Sequence, residues 1–318
     1  MAERIDDWLV RAFEGRSTLE AAAGFVPRRV AELHGLQAML DGFVKATGGR
    51  QIDGVRRGPI SSIVTVSFAA REGVDAGALE CVLDDDGLFL GFQSAPAGVD
   101  IEVAPADALS PGQLSGMHEL FDVAYEAADG EYLDRSLTRL GWVSMAFAAD
   151  DDARLVGFSL GDVRTLDLPS IGPTPTMLAG LACVDPERRR HGLFRYLSNL
   201  SLRAAGLVSP DRRALGAGRM AHPASMRIFA VAPTLVPRPG RRPSPLQQAV
   251  GQTVAEAYGV AGFDPATFVC RGSGRPIGFP RMTQEVEAHE WEVFEPVDRD
   301  RGDSLLALIW HGEAPDGW

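Results

Sequence analysis

The sequence predicts an α+β protein of two domains. A cone-like helix-on-curved-sheet domain spans residues 1–98, and a mixed α/β domain with a C-terminal extension spans 99–318. Three observations carry this. The chain has 318 residues, more than one ordinary small domain uses, and its 45% hydrophobic content lets each part bury a core. The first hundred residues read as helices followed by a strand meander. From Ile101 the order becomes strand, two helices, three strands and helix, unlike the strict alternation of a doubly wound sheet.

Pro27 suits a first helical turn, and Val30, Leu33, Leu36, Leu40 and Phe43 recur at three- and four-residue steps until "TGG" ends the run. In "ISSIVTVSFAA", Val64, Val66 and Phe68 alternate with Thr65 and Ser67, a half-buried strand. "ALECVLDDDGLFLGFQ" is a hairpin, because Asp and Gly tolerate positive φ. "SAPAGVD" (94–100) is a linker. Beyond it "IEVAPADALS" reads as a strand, and "PGQLSGMHELFDVAYEA" and "YLDRSLTRL" as helices. "WVSMAFAAD" and "ARLVGFSLGDVRTLDL" pair around "DDDA", and "TPTMLAGLACV" is another strand. Leu193, Leu197, Leu200 and Ala204 mark the next helix, and "HPASMRIFAVAP" a further one. Ser244 caps and Pro245 opens a helix that runs to Tyr258 and ends at Gly259. "TFVCRG" and "SLLALIW" are late strands, and "RGSGRPIGFP" is a loop.

Composition excludes several classes. With 43 acidic and 31 basic residues the net charge is -12, which disfavours nucleic acid as a partner. Cys81, Cys183 and Cys270 are far apart and form no metal-ligand or disulfide pattern, so no metal is expected. The start, "MAERIDDWLVRAFEG", is charged throughout, and no run has the length of a membrane span. A soluble, cytoplasmic protein without membrane contact is expected.

"VDPERRRHGLF" (184–194) lies between a central strand and a helix. Backbone N–H groups at a helix start lack intrahelical partners and carry the positive end of the dipole. Such a turn, with arginines and a glycine, can hold a pyrophosphate. With the element order around it, the segment from about 101 to 232 resembles the GNAT superfamily of acyl-CoA-dependent N-acetyltransferases. The family signature R-x-x-G-x-G/A falls on Arg189, Gly192 and Phe194, so Phe194 stands at a small-residue position. The resemblance implies acetyl-CoA as co-substrate and a small amine as acceptor. Ala182, Cys183 and Val184 would bond the pantetheine arm. Arg189, Arg190, His191, Gly192, Leu193, Phe194 and Arg195 would surround the pyrophosphate. In the next helix His222, Ser225, Ile228 and Phe229 fall on the family's N-x-x-A-x-x-L-Y. Phe229 thus replaces a tyrosine that often protonates the leaving thiolate.

Transfer from a thioester needs an uncharged amine and an acceptor for its proton. His222 and Glu126 are the candidate bases, with Glu119 and Tyr125 beside them, and water is an equal alternative. Cys183 lies in an apolar strand with no base next to it, so a packed thiol is favoured over a nucleophile. Glu119, Asp122, Glu126, Asp129, Glu131 and Asp134, against Arg135 and Arg139, favour an amine over an acidic acceptor. Two alternatives stand beside catalysis: a degenerate domain that binds acyl-CoA without turnover, or a cone that binds a small apolar metabolite. "SFAAREGVDAGALECVLDDDGLFLGFQSAP" resembles the closing strands of a nuclear transport factor 2-like (SnoaL-like) domain, with the likeness covering about residues 5 to 95. That implies a ligand pocket, which His34 could face, or a pairing module, and hence a homodimer.

Overall fold

A computed structural model describes the chain except residues 1–3, 49, 71–76, 85, 95, 150–152, 207–212, 231, 273, 275–278 and 282–284. Met1–Ala97 and Gly98–Trp318 form two compact units, each with its own main sheet.

The first unit runs α1 (Ile5–Phe13), α2 (Leu19–Ala23), α3 (Arg28–His34), α4 (Leu36–Thr47), β1 (Ile52–Arg57), β2 (Ile63–Phe68), β3 (Gly77–Leu83) and β4 (Phe89–Ser94). The strands form an antiparallel meander in chain order. Alternation puts Val64, Val66 and Phe68 on one face, where they bury against Trp8, Phe13 and Phe43 of the helices. Trp8 stacks on Phe25 at 5.1 Å, and its indole N–H finds Ser17 Oγ at 3.0 Å, so its polar end is satisfied. The hairpin at "DDDG" is closed by Asp84, whose carboxylate accepts the N–H of Asp86 and of Leu88, and by Gly87 at φ 77°. The single periodic helix expected over 30–43 is two helices, because Gly35 takes φ 74°, which ends one and starts the other. His34 is exposed at that break.

The second unit continues β5 (Val99–Pro105), α5 (Pro111–Ala124), β6 (Tyr125–Glu126), α6 (Gly130–Arg139), β7 (Trp142–Ala148), β8 (Leu155–Leu168), β9 (Gly172–Val184) and α7 (Leu193–Ala204). Then come β10 (Ala214–Met220), α8 (Pro223–Ala230), α9 (Pro245–Ala257), β11 (Phe263–Asp264), β12 (Val269–Cys270), β13 (Phe279–Pro280) and β14 (Ser304–His311). Eight strands form one sheet in the order β11-β12-β14-β10-β9-β8-β7-β5. Its pairings are antiparallel except β9 with β10, which is parallel. The helices divide between its faces. Gly157 of β8 meets Leu193 and Leu197 of α7, whereas the adjacent Phe158 packs with Met117 and Phe121 of α5. A capping box starts α9: Ser244 Oγ accepts the N–H of Gln247 at 3.2 Å, and Gln247 Oε1 accepts that of Ser244 at 2.8 Å.

The helix expected to run through Tyr125 and Glu126 stops at Ala124. Tyr125 turns extended, at φ -124°, and pairs with β13. Half of the "RGSGRPIGFP" loop lies outside the described residues, and its last two residues are β13 itself. The "DDDA" turn lies outside them except for Ala153. The strand expected over 101–110 ends at Pro105, followed by a single 3-10 turn.

Candidate functional site

The site begins where two strands part. The parallel ladder joins Thr176–Ala179 of β9 to Leu215–Gly218 of β10 and then stops. Beyond it β9 continues to Val184 on β8 alone, and β10 continues to Met220 on β14 alone. The parting begins at a bulge. Ser159 pairs with Ala182 and Gly161 with Ala179, so Gly180 and Leu181 together oppose Leu160. Only glycine fits there: a Cβ on residue 180 would collide with Leu140 Cδ1 and lie 2.9 Å from Leu160 Cβ. The base of the fork is covered on both sides. Tyr258 Oη lies 2.8 Å from the carbonyl oxygen of Ala179 and 3.0 Å from that of Ala217. On the other face a Cβ at Gly218 would stand 3.0 Å from Phe229 Cζ.

Past the fork the chain turns into α7. Asp185 holds the turn, accepting the N–H of Glu187 at 2.9 Å and the guanidinium of Arg154 at 2.6 Å. Burial alone would raise its pKa, but these partners outweigh it and keep the carboxyl below its ordinary value of 3.8. A depressed carboxyl stabilises the fold above its unfolded pKa, and that contribution is lost as pH falls through the lower folded value. Thermal melts should therefore show Asp185→Asn below wild type at about pH 6, with the gap closing by about pH 2. A gap independent of pH would mean that the charge is not what holds the turn.

Arg190 (φ 71°) and Gly192 (φ 78°) are both left-handed. Gly192 is the N-cap of α7 and offers no side chain, so the N–H groups of Leu193, Phe194 and Arg195 are uncapped. Arg190, His191, Phe194 and Arg195 are exposed around this end, and the Leu193 side chain is buried beneath the helix. Ser144 fastens α7 to the sheet by donating to the carbonyl of Leu197 at 2.7 Å.

Arg189 takes a post that the sequence did not suggest. Its guanidinium turns away from the helix end and donates to the backbone carbonyls of Val184, Ala124 and Arg281. It joins the end of β9, the end of α5 and the segment after β13. Tyr125 donates to the carbonyl of Ala182 at 3.2 Å. Burial, and then the neighbouring Cys183 and Tyr132, hold its phenol well above the ordinary value. Burial likewise pushes the Cys183 thiol up, against a weaker pull from Arg189, so it stays protonated and is no nucleophile.

Of the two candidate bases, His222 is tied into its own turn and Glu126 is not. His222 Nδ1 accepts the N–H of Ala224 at 3.2 Å, and the ring sits edge-on to Trp291. Burial, then Arg299 and Arg227, lower its pKa and leave it neutral. Glu126 is exposed, with its backbone in the β6–β13 pair. Several of the acidic residues expected to favour an amine are engaged by neighbours on α5 and α6. Glu119 accepts from Ser115, Asp134 bonds His118, and Asp129 caps α6 and pairs with Arg135. They give no argument for a cationic acceptor.

One residue at the fork escaped the sequence reading: Arg219, one position beyond the last residue of β10 that pairs with β9. Its Nε and Nη2 donate to Ser304 Oγ at 3.1 and 3.0 Å, and its guanidinium lies 5.9 Å over the Tyr258 ring. The signal was available, a lone charge within "ALGAGRM", which is otherwise small and apolar. Among the described residues no group of His, Cys, Asp or Glu is arranged to hold a metal, and no helix is long and apolar enough to cross a membrane.

No family model matches the chain, and no curated protein does. Among solved structures it is similar to the ribosomal-protein-S18-alanine N-acetyltransferase of Escherichia coli, at 12% identity and TM-score 0.32, over 69% of this chain and 99% of that one. A GNAT family N-acetyltransferase of Escherichia coli in complex with CoA gives 20% identity and TM-score 0.30, over 43% and 71% of the two chains. Arabidopsis thaliana NAA60 in complex with acetyl-CoA gives 15% and 0.32, over 46% and 88%.

Proposed function

We propose that the chain is an acyl-CoA-dependent N-acyltransferase of the GNAT kind, most simply an N-acetyltransferase, acting on a small amine by direct transfer from the thioester. The observation that carries this is the fork of β9 and β10, with its bulge, opening beside the uncapped start of α7. The residues present fit such a ligand. The N–H groups of residues 193–195 suit a pyrophosphate, and among the described residues beyond its chain neighbours no heavy atom lies within 4 Å of where a Cβ at Gly192 would stand. Among the described residues the β10-facing edge of residues 180–184 has no ladder partner, and it suits an extended amide-bearing arm.

Bound acyl-CoA supplies the activated acyl carbon: a C–N bond forms, the C–S bond breaks, the amine proton leaves to water and the thiolate takes one up. The chain's part is to bring donor and amine together, which accounts for much of such a rate. Its neutral Cys183 and Tyr125 add no competing charge at the fork.

CoA binding by calorimetry tests the proposal. Wild type should bind, and Gly192→Val should bind at least about tenfold more weakly, because valine resists the left-handed backbone of the turn. No binding by wild type, or equal binding by a folded variant, would overturn it. Phe229, which has no proton to give, favours a second reading in which acyl-CoA is bound without turnover. CoA-dependent thermal stabilisation without acetyl-CoA consumption across an amine panel would select that one. We further propose that the N-terminal unit is a nuclear transport factor 2-like cone, soluble and able to pair as a homodimer. Helices laid on one face of an antiparallel meander support the fold.

A further inference from the structure

The second substrate is left with one face of the fork. A ligand held at the start of α7 occupies the face of α7 and α8. The opposite face presents Arg219. Along β10 side chains alternate: Gly218 meets Phe229 of α8, so Arg219 points the other way, towards Tyr258 at the end of α9 and Ser304 of β14. Tyr132 of α6 is near enough to act on it electrostatically.

A half-buried guanidinium normally has a carboxylate, because burying an unpaired charge is costly. The other partly enclosed arginines described above follow that rule or are filled by carbonyls: Arg154 has Asp185, and Arg189 has three backbone oxygens. Arg219 has neither among the described residues. Its partners are the Ser304 hydroxyl, the Cys270 thiol and the Tyr258 ring. These are neutral, and they leave part of its five-donor fork unused. Burial works against the cation, but a guanidinium keeps its proton throughout the ordinary pH range. A charged, planar, incompletely bonded fork at a parting of strands is suited to a carboxylate.

We infer that Arg219 receives the carboxylate of the acceptor, so that the acceptor is an amine that also bears a carboxylate, of the α-amino-acid class. This rests on the acyltransferase reading, whose fork defines where the amine must arrive. The carboxylate completes the hydrogen bonding of Arg219 and fixes the neighbouring nitrogen at the fork, while CoA keeps the α7 side.

The test pairs each standard α-amino acid with its α-amide, acetyl-CoA as donor and thiol release as readout, with CoA calorimetry alongside. The amide's amine is less basic and more often uncharged, so intrinsic reactivity favours the amide, and a preference for the acid reports recognition. Wild type should use the best acid at least about tenfold more efficiently than its amide, chiefly through KM. Arg219→Gln should bring that ratio near one while binding CoA as wild type does, and Arg219→Lys should restore part of it. Amides used as well as acids, or neither used although CoA binds, would overturn the carboxylate assignment and leave the acyltransferase reading standing. Failure of wild type to bind CoA would overturn both. The wild-type comparison decides the matter even where a variant does not fold.

Discussion

Gly180→Val is expected to destabilise the second unit by about 3 kcal/mol, the upper end of the range for forcing atoms into a packed interior. The reason lies in what a Cβ at this position would meet. Leu140 Cδ1 can swing aside, being the far end of a side chain, but Leu160 Cβ at 2.9 Å and the Leu160 carbonyl at 3.1 Å belong to the partner strand. Relief would have to come from the bulge itself. The fork should therefore deform, and CoA affinity should fall together with stability. Gly42→Ala is the control, since a Cβ there meets nothing within 4 Å and alanine is the better helix former. Denaturant midpoints of the two variants decide it. An unchanged midpoint for Gly180→Val would mean that the strands are not that close.

Arg189→Ala is expected to cost about 2 kcal/mol and to weaken CoA binding more than Arg190→Ala does. The cation satisfies three carbonyls contributed by three separated segments, and charge-assisted bonds of this kind are worth more than neutral ones. Its removal frees the end of β9 from α5 and from the segment after β13, just where the chain turns towards α7. Lysine should not restore the wild-type values, because a single ammonium cannot span three acceptors held by a planar fork. Denaturant unfolding and calorimetry on Arg189→Ala, Arg189→Lys and Arg190→Ala measure this. If Arg190→Ala has the larger effect on affinity, the exposed charge dominates and the clamp does not.

Much of this architecture was legible because local chemistry and periodicity agreed. Ser244 and Pro245 spell a helix start, Asp84 and Gly87 a hairpin turn, and Gly192 a helix start that follows an apolar strand. The break at Gly35 was not legible, because the apolar period runs through it and only backbone conformation reveals it. Tyr125 left its helix for a bond to the Ala182 carbonyl and a pairing with β13, partners distant in sequence. Arg189 shows the limit for the site. Its position in the motif is plain, yet the direction of its guanidinium depends on carbonyls from other segments. Arg219 was missed because a strand arginine has no motif. Its meaning comes from the carboxylate it lacks.

The unequal pairing of β10 has a mechanical consequence. It is bonded to β14 from Ala214 to Met220, but to β9 only from Leu215 to Gly218. The sheet therefore behaves as two boards sharing a short hinge at one end. The first board carries β9, β8, β7 and, riding on them, α7; the second carries β10, β14 and α8. Tyr258 acts as the hinge pin, its single hydroxyl proton serving a carbonyl on each board. Whatever fills the gap spans both boards and braces them against bending about that pin, so the ligand becomes a structural member of the sheet that receives it.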